Sequence, residues 1–331
     1  MYSKILSRCF VLGIVGIPLF AANDCDRTCL KTTLDQYLTA VIKHDPAAAP
    51  LFVGFRQTEN AVVVRPGTGV WKSVTGLGKM QRRYLDAVSG QAAYFGIVEE
   101  GGVDVFDLHR IGTFAIVTVR LKIENRKITE AEWLIARDGD PGLNGPATAK
   151  QASGNVFDTN NLIANPPPER TVSKADRLSR EALVAITNSY FDGLTTHDGS
   201  IIIAHPGCNR LENGRAMTGA ASGRGGKNGE PNDCTSGLTN FSAALVAARR
   251  YPVVDEEAQA VLAIAVFVRR PGVATRRNVF SEWFFIDSAK IRNIYSAMFY
   301  PPPEQPVPNW PPYDGNWPLP ASLAPPAQSK Q

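Results

Sequence analysis

The chain has 331 residues, 44 % of them hydrophobic, with 35 basic and 31 acidic side chains for a formal net charge of +4. That length points to about two domains, and a balance this close to neutral excludes the basic field on which nucleic-acid binding depends. No run of like charge suggests a basic or acidic arm.

The first 22 residues carry the features of a secretory signal peptide. Lys4 and Arg8 supply a positive start, Cys9 to Phe20 an apolar core, and Ala21-Ala22 a small-residue cleavage region. The apolar run is too short to span a bilayer comfortably, and no other stretch is long enough. No stable membrane insertion is expected, and the expected compartment is the secretory pathway or the extracellular space. Four cysteines then remain: Cys25, Cys29, Cys208 and Cys234. An even count in a secreted chain favours two disulfides, with three connectivities open. The spacing favours Cys25–Cys29, one helical turn apart, and Cys208–Cys234, closing a glycine-rich loop. No histidine stands at zinc-ligand spacing from either pair, so no metal site is expected.

Leu30, Leu34, Tyr37, Leu38 and Val41 recur at helical spacing, and the helix they predict stops near His44-Asp45-Pro46. Strands follow, with Phe114–Ile123 and Ile128–Ala136 flanking the turn Glu124-Asn125-Arg126-Lys127. Residues 138–176, rich in Gly, Pro, Asn and Asp, read as a linker that packs no core. A second helix carries Leu183, Ile186, Tyr190 and Leu194 and ends at His197-Asp198-Gly199. Strands over Val261–Val268, Val279–Ile286 and Ile291–Met298 follow it. Asn240-Phe241-Ser242 is a glycosylation sequon, with Asn240 as the acceptor. Residues 301–331 form a proline-rich tail bearing Trp310, Tyr313 and Trp317, aromatics able to dock against a domain.

The second half repeats the first. A shift of 153 places Leu30 on Leu183, Tyr37 on Tyr190, His44-Asp45 on His197-Asp198, Gly54 on Gly207 and Glu59-Asn60 on Glu212-Asn213. These are seven identities over residues 30–60, where unrelated chains share roughly two. Lys127-Ile128 and Lys290-Ile291 correspond at a shift of 163, so the second copy has gained about ten residues, and Gly219–Glu230 is the place for them. A period this long marks a duplicated domain rather than a solenoid. The units are expected at 23–137 and 177–300, packed together as an internal pseudo-dimer. A homodimer of the whole chain is left open.

A helix ending in His-Asp, followed by a curved antiparallel sheet whose last hairpin reads Lys127-Ile128-Thr129-Glu130-Ala131-Glu132, resembles the SnoaL-like members of the NTF2-like superfamily. The motifs look closer still to secreted fungal proteins built from two such units. The matching residues run through most of the chain beyond the leader: Cys25-Asp26-Arg27-Thr28-Cys29-Leu30, Thr58-Glu59-Asn60, Gly69-Val70-Trp71, Gly96-Ile97-Val98-Glu99-Glu100 and Arg120-Leu121-Lys122-Ile123 in the first half. The second adds Ser179-Arg180-Glu181, Tyr190-Phe191-Asp192-Gly193, Cys208-Asn209-Arg210-Leu211-Glu212-Asn213-Gly214, Pro252-Val253-Val254-Asp255-Glu256-Glu257 and Pro312-Tyr313-Asp314-Gly315. The resemblance implies an α+β fold of two tandem cones, each a helical layer on a curved antiparallel sheet. Ala61 departs from the pattern where Gly214 keeps it, which puts an Asn-Gly type of turn in doubt for the first unit. Similar proteins in fungal natural-product clusters include hetero-Diels–Alderases joining a terpene to a polyketide-derived quinone methide. The implied function is therefore a cofactor-independent cyclisation or cycloaddition of an apolar terpenoid or polyketide substrate. The alternative is a secreted carrier that binds a small molecule without turnover.

No Gly-x-Ser-x-Gly nucleophile motif occurs, and Gly219–Gly229 lacks the spacing of a phosphate loop. Both His-Asp pairs stand at helix ends, where the aspartate caps the next segment. Asn60 and Asn213 suit a hairpin turn, leaving Glu59 and Glu212 free to face a pocket. Expected lining residues are Trp71, Tyr94, Arg120, Glu130 and Trp133 in the first unit, and Arg250, Trp283 and Tyr295 in the second. Strand alternation groups Arg120 with Lys122 and Glu124, on a face that could equally be solvated. Catalytic roles are expected of Tyr190 and Arg210, as donors to a substrate carbonyl, and of Glu212, as an acid raised by burial.

Overall fold

The structure, a computed structural model, describes residues 24–101, 113–143, 154–223, 231–241, 243–269 and 278–301. The expected leader, nearly all of the proline-rich tail, much of the glycine-rich loop and Ser242 of the sequon lie outside the described residues.

Helix α1 (Arg27–Ile42) begins where the Asp26 carboxylate accepts a hydrogen bond from the Cys29 amide. Its buried stripe is Leu30, Leu34, Tyr37, Leu38 and Val41. Sheet one follows: β1 (Leu51–Glu59), β2 (Val62–Val64), the short helix α2 (Val70–Ser73), β3 (Val74–Asp86), β4 (Gln91–Glu100), β5 (Thr113–Glu124) and β6 (Lys127–Arg137). A connecting segment carries α3 (Thr159–Ala164). Helix α4 (Arg180–Thr196), capped by Ser179 at its start, opens the second unit. Sheet two comprises β7 (Ala204–Glu212), β8 (Arg215–Ala216), β9 (Ala243–Asp255), β10 (Ala260–Arg269), β11 (Val279–Asp287) and β12 (Lys290–Phe299).

The molecule is thus α+β, with two similar units that repeat one strand order, β2-β1-β6-β5-β4-β3 and β8-β7-β12-β11-β10-β9. Neither sheet is purely antiparallel as expected. β1 runs parallel to β6, and β7 parallel to β12, because each unit's first long strand enters beside its last in the same direction. Both helices end alike: His44 and His197 take left-handed backbone at φ 58° and 61°, and Asp45 and Asp198 accept from the amides of Ala47 and Ser200. The histidine rings lock the adjoining segments, Nδ1 of His44 on the carbonyl of Trp71 and Nδ1 of His197 on that of Leu238.

One face of each sheet packs under its own helix, and the other packs against the opposite sheet. With both faces covered, the central strands read as near-continuous apolar runs. At the centre of the contact, Ser281 Oγ donates to Thr118 Oγ1 at 2.8 Å, and these two residues are counterparts in the repeat. Away from the centre the contacts are reciprocal. Arg27 of the first unit pairs with Asp255 of the second at 2.9 Å, and Arg180 of the second with Asp86 of the first at 2.7 Å. The amides of Leu85 and Val254 donate to the same two carboxylates. Such exchange of equivalent partners is the signature of an isologous interface, here within one chain.

The segment expected to pack no core is pinned down. Leu162 is fully buried, and Asn161 Nδ2 donates to the Gly214 carbonyl. That approach explains the glycine: a Cβ on Gly214, at φ 81°, would stand 2.0 Å from the Asp158 carbonyl oxygen. Ala61 takes φ 67° and packs against the core between the sheets, so the left-handed turn forms in the first unit with alanine bearing the strain. The disulfides are Cys25–Cys29 and Cys208–Cys234; such bonds persist in oxidising compartments. No helix among the described residues is long and apolar enough to cross a membrane.

Candidate functional site

Each unit forms a cone between its helix and the facing sheet, and the repeat lets the two interiors be compared position by position. In the first cone, Tyr37 donates to Gln57 Oε1 at 2.9 Å, and Trp71 Nε1 donates to the same oxygen at 2.8 Å. Trp133 Nε1 donates to the Tyr37 hydroxyl at 2.9 Å. Gln57 Nε2 and the Val70 amide both donate to Glu59, which burial holds above the ordinary glutamate value. Gln57, Tyr37 and Trp133 are wholly enclosed, and Trp71 nearly so. This interior is a sealed plug of mutually hydrogen-bonded groups.

The second cone has the same tyrosine and glutamate, Tyr190 and Glu212, around different neighbours. Arg210 stands where Gln57 does. Ser296 pairs with Glu282 in the last hairpin as Trp133 pairs with Val119, so serine replaces a tryptophan and a glutamate replaces valine. Leu238, held by the histidine as Trp71 is, replaces the other tryptophan. Arg210 Nε and Nη2 donate to Glu282 Oε1 at 3.0 and 2.8 Å, and Nη1 donates to Glu212 Oε2 at 2.9 Å. Tyr300 donates to Glu212 Oε1 at 3.2 Å. Glu282 Oε2 is buried with no hydrogen-bond partner, and the Tyr190 hydroxyl finds none among the described residues.

Burial raises Glu282 above the ordinary glutamate range; Arg210 offsets this in part, and the Glu212 charge adds to it. Burial works against the Arg210 charge, but Tyr190, Glu282 and Glu212 around it outweigh that and hold the guanidinium protonated. Burial also pushes the Tyr190 and Tyr300 phenols up, so both remain neutral donors. The walls are aromatic: Tyr190 meets Phe284 edge-on at 5.4 Å, and Phe191 packs on Phe280. Unlike Gln57, Arg210 reaches solvent, with 12 % of its side chain exposed. A polar depression of about 380 Å³ is lined by Leu238 together with His197, Ser200, Asp233 and Thr235.

The structure thus brings Tyr190, Arg210 and Glu212 together and puts Trp71, Tyr94 and Trp133 among the packed side chains of the first unit. Tyr94 donates to the Ile97 carbonyl. The other expected lining residues lie elsewhere, between the two sheets. Arg120 is 3 % exposed and binds Glu130 and Glu132, and Glu132 also receives Arg250. Trp283 stacks on Tyr84 and donates to Thr118, while the Tyr295 hydroxyl donates to the Pro166 carbonyl. Alternation put Arg120 on one face with Lys122 and Glu124 and left open that this face is solvated; at Arg120 the opposite sheet buries it instead. Glu282 and Tyr300 were missed. A lone acid inside Val279-Phe280-Ser281-Glu282-Trp283-Phe284 was the available signal, because a glutamate is almost never buried without a reason.

Among the described residues no cluster of three or more His, Cys, Asp or Glu is placed to hold a metal ion. Residues 176–298, the second unit, match the family described as "Domain of unknown function (DUF8021)". A solved protein of unknown function with a cystatin-like fold, from Methylobium petroleophilum PM1, is 13 % identical with a TM-score of 0.28, over 45 % of this chain and 97 % of its own. No curated protein matches the chain.

Proposed function

We propose that this chain is a tandem SnoaL-like protein of the NTF2-like superfamily, whose second cone cyclises an apolar terpenoid or polyketide substrate while the first serves as scaffold. The observation that carries this reading is the contrast between the cones. One scaffold holds a plug of mutually hydrogen-bonded aromatic and amide groups in the first unit. In the second it holds an arginine, two glutamates and a tyrosine without a hydrogen-bond partner among the described residues. Apolar walls that fix two reacting carbons in register remove much of the association entropy of a cycloaddition. Tyr190 supplies a hydroxyl for a carbonyl that gains electron density in the transition state. Arg210, its nitrogens already committed to Glu212 and Glu282, positions these carboxyls rather than touching the substrate. The chemistry needs only groups the chain supplies.

Incubating the purified protein with an apolar olefin and an activated enone or quinone methide tests the reading. Ring formation above the uncatalysed rate is expected, slowed about tenfold or more in Tyr190→Phe, as when a donor aimed at developing charge is lost. A non-catalytic carrier is the second reading, favoured by the engagement of all three Arg210 nitrogens, which leaves no free cation to activate a substrate. Binding without any rate enhancement would establish the carrier.

A further inference from the structure

Glu282 is the residue of the second cone that the fold does not need, since Val119 occupies its place in the first. It is wholly buried, and it faces Arg210 and Glu212 from β7 and Tyr190 from α4. Farther round, Tyr300 and Arg269 face Glu212. One guanidinium therefore serves two carboxyls. Its Nε and Nη2 both go to Oε1 of Glu282, leaving Oε2 enclosed and unpartnered. An anionic oxygen in that position is unfavourable, because burial without a hydrogen-bond donor disfavours the charged form. A proton there removes the charge and turns the orphan acceptor into an orphan donor. Arg210 is then set against Glu212 alone, with Arg269 on the far side of that carboxyl. The described residues offer that donor no acceptor, so it is available to an acceptor that enters from outside the chain.

Resting on the reading of the second cone as a ligand site, we propose that Glu282 works as a neutral carboxylic acid. Its Oε2–H donates to the carbonyl oxygen of an uncharged, otherwise apolar ligand. A carboxylate ligand is disfavoured, because it would add a second negative charge beside Glu212 with Arg210 already engaged. The acid is thus a specificity device: it selects a ligand with one acceptor at a defined depth in an apolar cone.

Three naphthalenes of similar shape test this on the full chain: 2-acetylnaphthalene, 2-ethylnaphthalene and 2-naphthoate, titrated by fluorescence or calorimetry. The ketone is expected to bind tightest. Its affinity should fall about tenfold in Glu282→Val, the loss of roughly one buried hydrogen bond. Glu282→Gln, which keeps a donor and the shape, should stay within about threefold of wild type. The ethyl compound should be indifferent to both changes, and ketone affinity should drop as pH rises and the acid ionises. Infrared difference spectra of wild type against Glu282→Gln should show a protonated-carboxyl band in wild type alone; this readout survives poor folding of the valine variant. Equal ketone affinity in wild type and both variants, a missing carboxyl band, or tighter binding of naphthoate overturns the role of Glu282 while the site stands. If instead no probe binds, or binding survives refilling the cone by Leu238→Trp and Ser296→Trp, the site itself is wrong.

Discussion

The two cones share a helix, a strand order, a tyrosine and a glutamate, yet one is closed and the other charged. In the first, Trp71 and Trp133 converge on Tyr37 and Gln57, and every polar atom of that group has a partner inside. In the second, leucine and serine stand in for the tryptophans, and an arginine with two acids occupies the space. The scaffold depends on the shared positions, while the four exchanged ones decide whether the interior is an aromatic core or a charged cluster. A duplicated domain can therefore keep one copy for stability and free the other to carry polar groups that cost stability.

The contrast breaks most readily at the tryptophans. Trp133→Ala should cost about 3–5 kcal/mol, as for a fully enclosed indole whose cavity cannot collapse. Its counterpart change, Ser296→Ala, should cost about 1 kcal/mol, the worth of its one hydrogen bond, to the Leu211 carbonyl. Denaturant midpoints of the two variants measure the difference; equal losses would mean the first cone is no more a plug than the second.

The disulfides sharpen the comparison next. In the chain-entropy account, the bond spanning 26 positions in the second unit contributes about 3.5 kcal/mol, and that spanning 4 positions in the first about 2 kcal/mol. Paired serine replacements at Cys208 and Cys234 should thus lower stability more than those at Cys25 and Cys29. Thiol labelling of the unfolded, unreduced protein should find neither pair reactive.

Arg210→Met should follow at about 3 kcal/mol at neutral pH, because it strands the buried carboxyls; Gln57→Met should cost less, having no charge to strand. Acidification should recover part of the Arg210→Met loss as the stranded groups take up protons. Glu282 makes its own contribution to the pH dependence. Its value is raised in the folded state, so the native protein binds more protons than the unfolded chain just above the ordinary glutamate value of 4.5. Stability conferred by that proton is complete below the unfolded value and is lost as pH climbs through the folded one. Glu282→Gln should abolish this decline, visible as a flatter midpoint-against-pH curve than wild type's.

Much of the scaffold was legible because its signals are local. The helix stripes, the last hairpins and the Cys25–Cys29 pair each rest on residues a few positions apart or on one duplicated pattern, and Cys208–Cys234 is the pairing that remains. Tyr190 and Glu212 are fixed by the repeat, and Arg210 stands two residues before Glu212 on the same face of one strand. What stayed hidden depends on contacts distant in sequence. The faces carrying Arg120, Trp283 and Tyr295 are buried by the opposite sheet, and period-two alternation is the same whichever layer covers them. Leu162 looked like linker because its partners come from elsewhere in the fold. Glu282 is the instructive miss: the repeat aligns it with Val119, so a search for shared residues passes over the position where the copies diverge.

The smallest expected effect is a gain. Ala61 and Gly214 hold equivalent turn positions at φ 67° and 81°. Left-handed backbone costs an L-residue roughly 1–2 kcal/mol, and glycine escapes that cost but loses more freedom on folding. The two effects leave a net gain of about 0.5–1 kcal/mol for Ala61→Gly. The reverse change, Gly214→Ala, should cost far more, because its Cβ would collide with the Asp158 carbonyl. Thermal midpoints of both variants decide the matter. A loss for Ala61→Gly would mean that something other than backbone strain distinguishes the two turns. Near-neutral behaviour of Gly214→Ala would mean that the connecting segment does not press on the second unit as the structure has it.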